Sequence, residues 1–440
     1  MSFSPVKGMH DIYGEDASEM EEVTNLLKEF AKMYAYKEFI PPIMEYTDVF
    51  SRGTGESSDI VRKEMYTFLD KGNRSVTLRP EFTAGLIRGV VSNKLYAEDL
   101  PLKYFYCGPA FRYERPQLGR YRQFNQFGVE CVGADSPLLD AETIIMAVQS
   151  LCVLGFENVS VKINSLGDEE SRKAYREALK KYFSSYMDEM CEDCHERINL
   201  NPLRILDCKV EHDQEIAKGA PKIKDYLSEA SEKRFYKTIS YLNDMEIDYE
   251  IDENLVRGLD YYSEIVFEIH VKSQAGNDYG AVCGGGHYGG LVKELGGPDL
   301  PGVGFAMGVE RIVSLLKDNG LRKEQPYLLD FFFMPVGGDE EVINSVFYLM
   351  QTTRLLGYSA DMAEGGKFSS MFKKAERKKA KFAFIVGTDE LEKGVANIKN
   401  IETQEQITID LNKLDEELDK LFEHDECECD DENCECHHGA

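Results

Sequence analysis

Four arginines, Arg112, Arg115, Arg120 and Arg122, fall between Phe111 and Gln123 of a 440-residue chain that carries 51 Lys+Arg against 79 Asp+Glu. An arginine offers a planar fork that matches phosphate oxygens two at a time. This density in an otherwise acidic chain predicts a polyanion site over a solvated hairpin. Tyr104-Phe105-Tyr106 leads into the arginine loop as a strand, and Phe124 to Val132 leads out. Phe124 can offer a flat face to a base. Gln126 and Glu130 lie four apart on the outgoing strand and so point to the same face. One face therefore gathers arginines, an aromatic ring, an amide and a carboxylate, which suits a nucleotide beside a small cationic or polar substrate.

Other positions extend this chemistry. Glu81 and Thr83 follow Arg79-Pro80 at a strand-to-helix junction, where they can cap a helix over 84–91 or receive an ammonium. Arg311 falls in the first turns of a helix that follows GVGFAMG, where guanidinium and helix dipole both favour phosphate; the plain alternative is a surface arginine paired with Glu310 or Asp318. AVCGGGHYGGLVKELGG lacks the GxxxxGK[ST] order and reads as a glycine-rich tight turn that lets backbone approach a ligand. Cys191-x-x-Cys194-His195, with Cys208 and His212 later, is compatible with zinc. Without a second close pair, these cysteines read as structural thiols. In the C-terminal part Lys373, Lys374, Arg377, Lys378, Lys379 and Lys381 form a basic cluster, either solvated or set for RNA backbone.

The elements that must position these groups follow from periodicity. Val23, Leu26, Leu27, Phe30 and Tyr34 share one face of a helix over 18–36, and a second helix covers 139–154. Strands are expected at 65–69, 75–78, 159–163, 247–251 and 264–270. Residues 167–243 read as a charged helical insertion within one catalytic sheet. After a linker at 321–327, strands alternate with helices, giving a small α/β domain over 328–420. The fold expected is α/β, with an α+β catalytic core over 1–320. A length of 440 residues accommodates these domains, and 42% apolar content is an ordinary globular value. The net charge of −28 argues against indiscriminate nucleic-acid binding, and no DNA partner is expected. No run is apolar enough to span a bilayer and the N-terminus lacks a signal-peptide h-region, so no membrane partner and a cytoplasmic location are expected. Residues 421–440 form an acidic Cys/His-rich tail that from His424 offers no apolar side chain to build a core, and it is expected to be disordered. Its Cys427, Cys429, Cys434, Cys436, His437 and His438 are suited to Zn²⁺ or another soft metal.

Four motifs in order resemble those of class II aminoacyl-tRNA synthetases, specifically the histidyl-tRNA synthetase family. FRYERPQLGRYRQFNQFGVE resembles motif 2, GVGFAMGVERI motif 3, LVRGLDYY the histidine-specific signature and TLRPEFT the amino-group site. The resemblance runs from Lys7 to about Leu421 and includes an anticodon-binding-like domain. It implies an antiparallel sheet flanked by helices, and a ligase that activates L-histidine with ATP and Mg²⁺ and transfers it to the 3′ end of tRNA-His, as a homodimer. By resemblance, Arg112 and Arg257 are the catalytic pair. Arg112 holds the α-phosphate and the histidine carboxylate, and Arg257 sits at the α-phosphate. Arg311 holds the γ-phosphate and covers the adenine, with Phe124 beneath. Glu114 and Arg120 belong to the ATP site. Glu81, Thr83 and Gln126 receive the α-ammonium, Glu130 and Tyr262 hydrogen-bond the imidazole, and Tyr261 and Tyr288 line its pocket. Arg115, Gln117 and Arg122 lie near the tRNA acceptor end.

The family's turn Gly-Gly-Arg-Tyr-Asp reads Gly285-Gly286-His287-Tyr288-Gly289 here. Loss of both charged members predicts a local ion pair removed as a unit, so that restoring Arg and Asp together raises activation more than either alone. Two other functions stay open. One is a synthetase-like regulatory subunit of ATP phosphoribosyltransferase, although such paralogues usually lack an anticodon-binding domain and the signature arginine, both present here. The other is a metal-handling protein, resting on the tail alone.

Overall fold

The computed structural model describes residues 3–55, 58–115, 119–133, 135–277, 279–322 and 327–422. The chain divides into two compact units, 1–322 and 323–440.

In the first unit α1 (Glu15–Met33) starts after Gly14, whose φ of 61° is left-handed. It stops short of the expected residue 36 because Ala35 is also left-handed, with φ 62°. Val23, Leu27 and Ala31 form its buried face, while Leu26 is 38% exposed. β1 (Lys37–Glu38) follows. β2 (Met44–Tyr46), β3 (Tyr66–Leu69) and β4 (Ser75–Leu78) then make a small antiparallel sheet in the order β2-β4-β3, with α2 (Thr47–Thr54) after β2. Next come α3 (Thr83–Ser92), β5 (Leu102–Phe111), β6 (Gln123–Val132), α4 (Pro137–Val153) and β7 (Val159–Ser165). Helices α5 (Glu169–Phe183), α6 (Glu192–Leu200), α7 (Glu211–Lys218) and α8 (Glu229–Asp244) lie between β7 and β8 (Tyr249–Ile251). β9 (Tyr262–Val271), β10 (Cys283–Tyr288), α9 (Leu291–Glu294), β11 (Gly302–Gly308) and α10 (Val309–Asp318) complete the unit.

The main sheet runs β1-β5-β6-β11-β10-β9-β7-β8. Its central pairs are antiparallel, and only the edge pairs β1·β5 and β7·β8 are parallel. This is the mixed architecture expected from the motifs. Strand alternation gives its two faces opposite characters. Phe105, Phe127, Val129, Phe305, Phe267, Ile269 and Ile163 point one way and form a core with α1, α4 and α10. Residues one step out of phase point the other way. Across the sheet they read Tyr104, Glu130, Gly304, Gly286 and Val266 in one row, and Tyr106, Gly128, Ala306, Gly284 and Glu268 in the next. The second face is thus floored with glycine and edged with carboxylates.

That pattern corrects the reading of 283–288 as a tight turn. Cys283–Tyr288 is a fully buried strand between β9 and β11. Its glycines serve close approach across the sheet, which glycine in a strand interior can signal as readily as a bend. A Cβ on Gly285 would overlap the Gly304 carbonyl and crowd the Phe267 ring and the Phe305 Cβ on the core face.

The second unit is a five-stranded mixed sheet in the order β13-β12-β14-β15-β16. Its strands are β12 (Leu329–Pro335), β13 (Ala360–Met362), β14 (Ala380–Val386), β15 (Val395–Asn400) and β16 (Gln406–Asp410). Its helices are α11 (Glu340–Leu355), α12 (Phe368–Arg377), α13 (Thr388–Lys393) and α14 (Leu414–Asp419). Phe331 and Phe333 pack on one side of β12 and Phe332 and Met334 on the other, as expected for a strand covered on both faces. β13, α13 and α14 are too short for periodicity to reveal and were not anticipated. Lys373, Lys374 and Arg377 are exposed on α12, whereas Lys378 pairs with Asp361 at 2.5 Å and Lys381 lies 4.2 Å from the centre of the Phe422 ring.

Gly285→Ala is expected to lower the unfolding free energy of the first unit by about 1–3 kcal/mol, the usual cost of overpacking a tight core. Urea unfolding followed by tyrosine fluorescence measures this, and an unchanged midpoint would show that the floor tolerates a methyl group.

Candidate active site

The site is built around Glu130, 1% exposed near the end of β6. Its side chain lies over Gly304 of the neighbouring strand, where any Cβ would overlap Oε2. Three hydroxyls converge on it. Thr83 Oγ1 donates to Oε1 at 2.6 Å, Tyr288 Oη donates to Oε2 at 2.8 Å, and Tyr106 Oη reaches Oε1 at 3.4 Å. Burial pushes the Glu130 pKa up to about 8, against the opposing pull of the Thr83 and Tyr288 hydrogen bonds. Gly302 lies under the Tyr288 ring in the same way as Gly304 lies under Glu130. Tyr261 and Tyr262 close the pocket, with ring centroids 4.6 Å apart, and Tyr261 meets Tyr288 edge-on at 5.7 Å. Burial also pushes the Tyr262 phenol up to about 12.

Glu81 caps α3 and keeps one oxygen unpaired. Oε1 accepts from the Ala84 backbone N–H at 3.0 Å, at the start of α3, and from Thr54 Oγ1 at 3.4 Å. Oε2 is buried with no hydrogen-bond partner, and so is Gln126 Oε1. Two orphaned acceptors beside one cavity are costly unless a donor reaches them. A small ammonium is such a donor.

The cleft, of about 740 Å³, is lined by Arg112, Arg257 and Arg311 together with Glu81, Thr83, Gln126, Glu130, Tyr261, Tyr262 and Tyr288. Glu114, Arg120 and Phe124 line it as well. Arg112 is fixed by Nε donating to the Pro80 carbonyl at 2.8 Å, and its guanidinium lies 5.3 Å from the centre of the Phe124 ring. The structure thus sets Arg112, with Phe124, on one wall. Arg257 is ion-paired with Glu268 and lies against Gly284, where a Cβ would overlap its guanidinium. Arg311 donates to the Ala281 carbonyl, which removes the surface-pair alternative. Burial, with Arg120 nearby, pushes its pKa down to about 10. Glu310 instead accepts from the Asn125 backbone N–H at 2.8 Å.

Arg115 and Arg122 do not line the cleft. Arg115 is exposed. Arg122 sits over the Tyr113 ring at 3.7 Å and donates to the Glu114 carbonyl at 3.2 Å, while its backbone N–H bonds Gly8. It therefore ties the loop to the N-terminal segment. Gln117 and the tail residues Cys427, Cys429, Cys434, Cys436, His437 and His438 lie outside the described residues.

Three groups were missed. Glu268 pairs with Arg257, and the alternation of Tyr262, Glu268 and His270 along β9 was a usable signal. Glu64, which also lines the cleft, has its pKa raised by burial despite Arg112 nearby. Arg234 and Asp140 had no local signal. They flank His287, whose Nδ1 is 3.1 Å from Arg234 Nη2 and 3.2 Å from Asp140 Oδ1. The buried charge pair beside His287 is Arg234–Asp140, at 2.7 Å, supplied from α8 and α4. Cys191, Cys194 and Cys208 are free thiols that, with Asp213, bring their ligand atoms within 4.8 Å of one another. His195 and His212 bond elsewhere, to the Met187 carbonyl and to Glu189.

A dry carboxylate pocket opening onto three converging arginines, above an antiparallel sheet, is the layout of a class II aminoacyl-tRNA synthetase catalytic unit. The sequence profile described as Histidyl-tRNA synthetase matches residues 8–312, and that described as Anticodon binding domain matches 330–421. The chain is 45% identical over 418 residues to the histidine–tRNA ligase of Bacillus subtilis (strain 168), covering 94% of this chain and 98% of that one. It is 44% identical over 414 residues to that of Anoxybacillus flavithermus, covering 94% and 97%. The crystal structure of apo S. aureus histidyl-tRNA synthetase superposes with a TM-score of 0.81 at 38% identity, over 95% of this chain and 100% of that one. The chain belongs to the histidyl-tRNA synthetase family.

Two outcomes are expected. A buried acid with a raised pKa holds a proton in the folded state that the unfolded chain has lost, so it favours folding at low pH. That contribution falls away as pH rises from about 4.5 to about 8. Glu130→Gln should flatten this fall in thermal midpoint while raising the KM for histidine; parallel pH profiles for the two proteins would remove Glu130 as the cause. His287→Arg, alone or with Gly289→Asp, would set a second guanidinium against Arg234 and should lower the thermal midpoint, whereas higher histidine activation, greatest in the double variant, would bear out the expectation from the family pattern.

Proposed function

We infer that the cleft of the first unit is where this histidine–tRNA ligase makes histidyl-adenylate, with tRNA-His as the final acceptor. The enzyme uses ATP and L-histidine. The histidine carboxylate attacks the α-phosphorus, an O–P bond forms, and the bond to pyrophosphate breaks. A ribose hydroxyl of the terminal tRNA nucleotide then takes the acyl group and AMP leaves. The carboxylate is already a nucleophile, so the first step needs positioning and fixed positive charge more than a general base.

Arg112 and Arg257 supply that charge at the α-phosphate, and Arg311 at the γ-phosphate. Glu114 and Arg120 lie toward ATP, and Phe124 packs against the adenine. Glu81, Gln126 and Thr83 receive the α-ammonium, the first two through the acceptors that protein donors leave unpaired. Glu130 and Tyr262 bond the imidazole, while Tyr261 and Tyr288 wall it in. An apolar amino acid would leave Glu130 without its donor, a strong basis for rejection. Glu64 and Glu114 provide the hard oxygen donors that suit Mg²⁺. Bound there, the ion would neutralise charge on the outer phosphates. Arg115, Gln117 and Arg122 lie toward the tRNA acceptor end, and the second unit reads the anticodon stem. We place the enzyme in the cytoplasm as a homodimer, with the Cys/His tail as an accessory soft-metal site. Among the described residues no helix is long and apolar enough to cross a membrane.

The observation that carries this reading is the meeting of Arg112, Arg257 and Arg311 in one cleft beside Glu130. Arg257→Ala should lower histidine-dependent ATP–pyrophosphate exchange and tRNA-His charging by roughly 10²-fold or more, the scale of losing one transition-state donor. Histidine binding without exchange in the wild type would instead favour the regulatory-subunit reading.

A further inference from the structure

Three thiols and one carboxylate converge in the helical insertion, away from the three arginines. Cys191 caps α6, Cys194 lies in its first turn, Cys208 sits in the segment before α7, and Asp213 lies in the first turn of α7. Cys194, Cys208 and Asp213 are 0%, 3% and 1% exposed. No disulfide links them. Cys191 Sγ and Cys208 Sγ are 3.7 Å apart, and Cys208 Sγ lies 3.3 Å from Asp213 Oδ2.

Those spacings are set by neither a disulfide nor close apolar packing. A disulfide holds its sulfurs about 2.0 Å apart and has no use for a third thiol and a carboxylate. A tetrahedral Zn²⁺ with Zn–S of about 2.3 Å and Zn–O of about 2.0–2.2 Å separates two sulfur ligands by about 3.8 Å and a sulfur from an oxygen by about 3.6 Å. The observed sulfur–sulfur edge of 3.7 Å matches the first, and the sulfur–oxygen edge of 3.3 Å is shorter than the second, the distance of a thiol donating to a carboxylate. The Cys191 N–H donates to Asp213 at 3.2 Å, an outer-shell bond that would orient the carboxylate.

We propose that Cys191, Cys194, Cys208 and Asp213 form a structural zinc site that staples the start of α6 to the start of α7. The chain between its ligands braces the loop that carries Arg257. Arg204 Nη1 donates to the Arg257 carbonyl at 3.1 Å, and Asn201 Nδ2 donates to Asp260 at 2.8 Å. Leu206, Asp207 and Lys209, on either side of Cys208, line the cleft. The zinc is therefore a positioning device for the catalytic loop and takes no part in the chemistry.

The test uses the full chain with Cys427, Cys429, Cys434 and Cys436 changed to Ser and His437 and His438 to Ala, so that tail ligands cannot contribute. Purified from zinc-supplemented cells, it should carry about one zinc per chain by mass spectrometry. Its X-ray absorption spectrum should show three sulfurs at about 2.3 Å and one oxygen at about 2.0–2.2 Å. Cys194→Ser in this background should cut bound zinc about tenfold. Co²⁺ replacing zinc should give tetrahedral d–d bands with sulfur-to-cobalt charge transfer. A zinc content below about 0.1 per chain, or retention of the metal by Cys194→Ser, would overturn the proposal. If Cys194→Ser fails to fold, the absorption spectrum of the tail-substituted parent decides, and a shell other than three sulfurs and one oxygen rejects the site.

Discussion

Burying the Glu130 carboxylate is the constraint that shapes the catalytic unit. A carboxylate that leaves water must be neutralised, hydrogen-bonded or both. Here both terms operate. Burial raises its pKa, while Thr83 and Tyr288 donate to separate oxygens and oppose the rise. Those donors come from distant parts of the chain, the start of α3 and the end of β10. The pocket therefore exists only when the main sheet and the helix beside it are assembled together. In the proposed function recognition and folding share these contacts, so Glu130 also carries a stability cost.

The glycines follow from the same constraint. Glu130, Arg257 and Tyr288 lie against the sheet as they converge on one cleft, and a sheet of ordinary residues has no room for them. Gly304, Gly284 and Gly302 provide that room one residue at a time. Glycine normally weakens a strand. The loss is offset on the opposite face, where Phe105, Phe127, Phe267 and Phe305 form a continuous aromatic and aliphatic layer. One face of the sheet holds the fold together while the other gives up packing to make a cavity.

This division explains what could be read in the sequence. The arginine loop, Glu81, Gln126 and Glu130 were legible because their spacing on known elements fixes their facing. The four motifs and the order of the α/β second unit were legible for similar local reasons. The glycine strand was not, since Gly285-Gly286 has the composition of a turn and only its neighbours reveal a strand. Arg234 and Asp140 were hidden because the pairing of α8 with α4 is a tertiary fact with no periodic signature. The cysteine cluster was half visible. Cys191 and Cys194 announced themselves, but their partners are Cys208 and a carboxylate, and the short backbone turn that brings Asp213 back has no fixed spacing.

Among the contacts that join the insertion to the sheet, one set of polar contacts reaches the loop that carries Arg257. Asp59, which lines the cleft, accepts from Arg204 at 2.8 Å and from Arg197 at 3.2 Å. Arg204 also holds the Arg257 carbonyl. Arg257 is therefore positioned from two sides, by Glu268 on the sheet and by the insertion at its backbone. A guanidinium that must meet a developing charge works only if it is already in place, because reorganisation during the reaction would cancel much of its benefit. In the proposed mechanism the sheet fixes where the charge points and the insertion fixes where its backbone sits. Displacing Arg204 would move Arg257 through its backbone carbonyl rather than through its guanidinium.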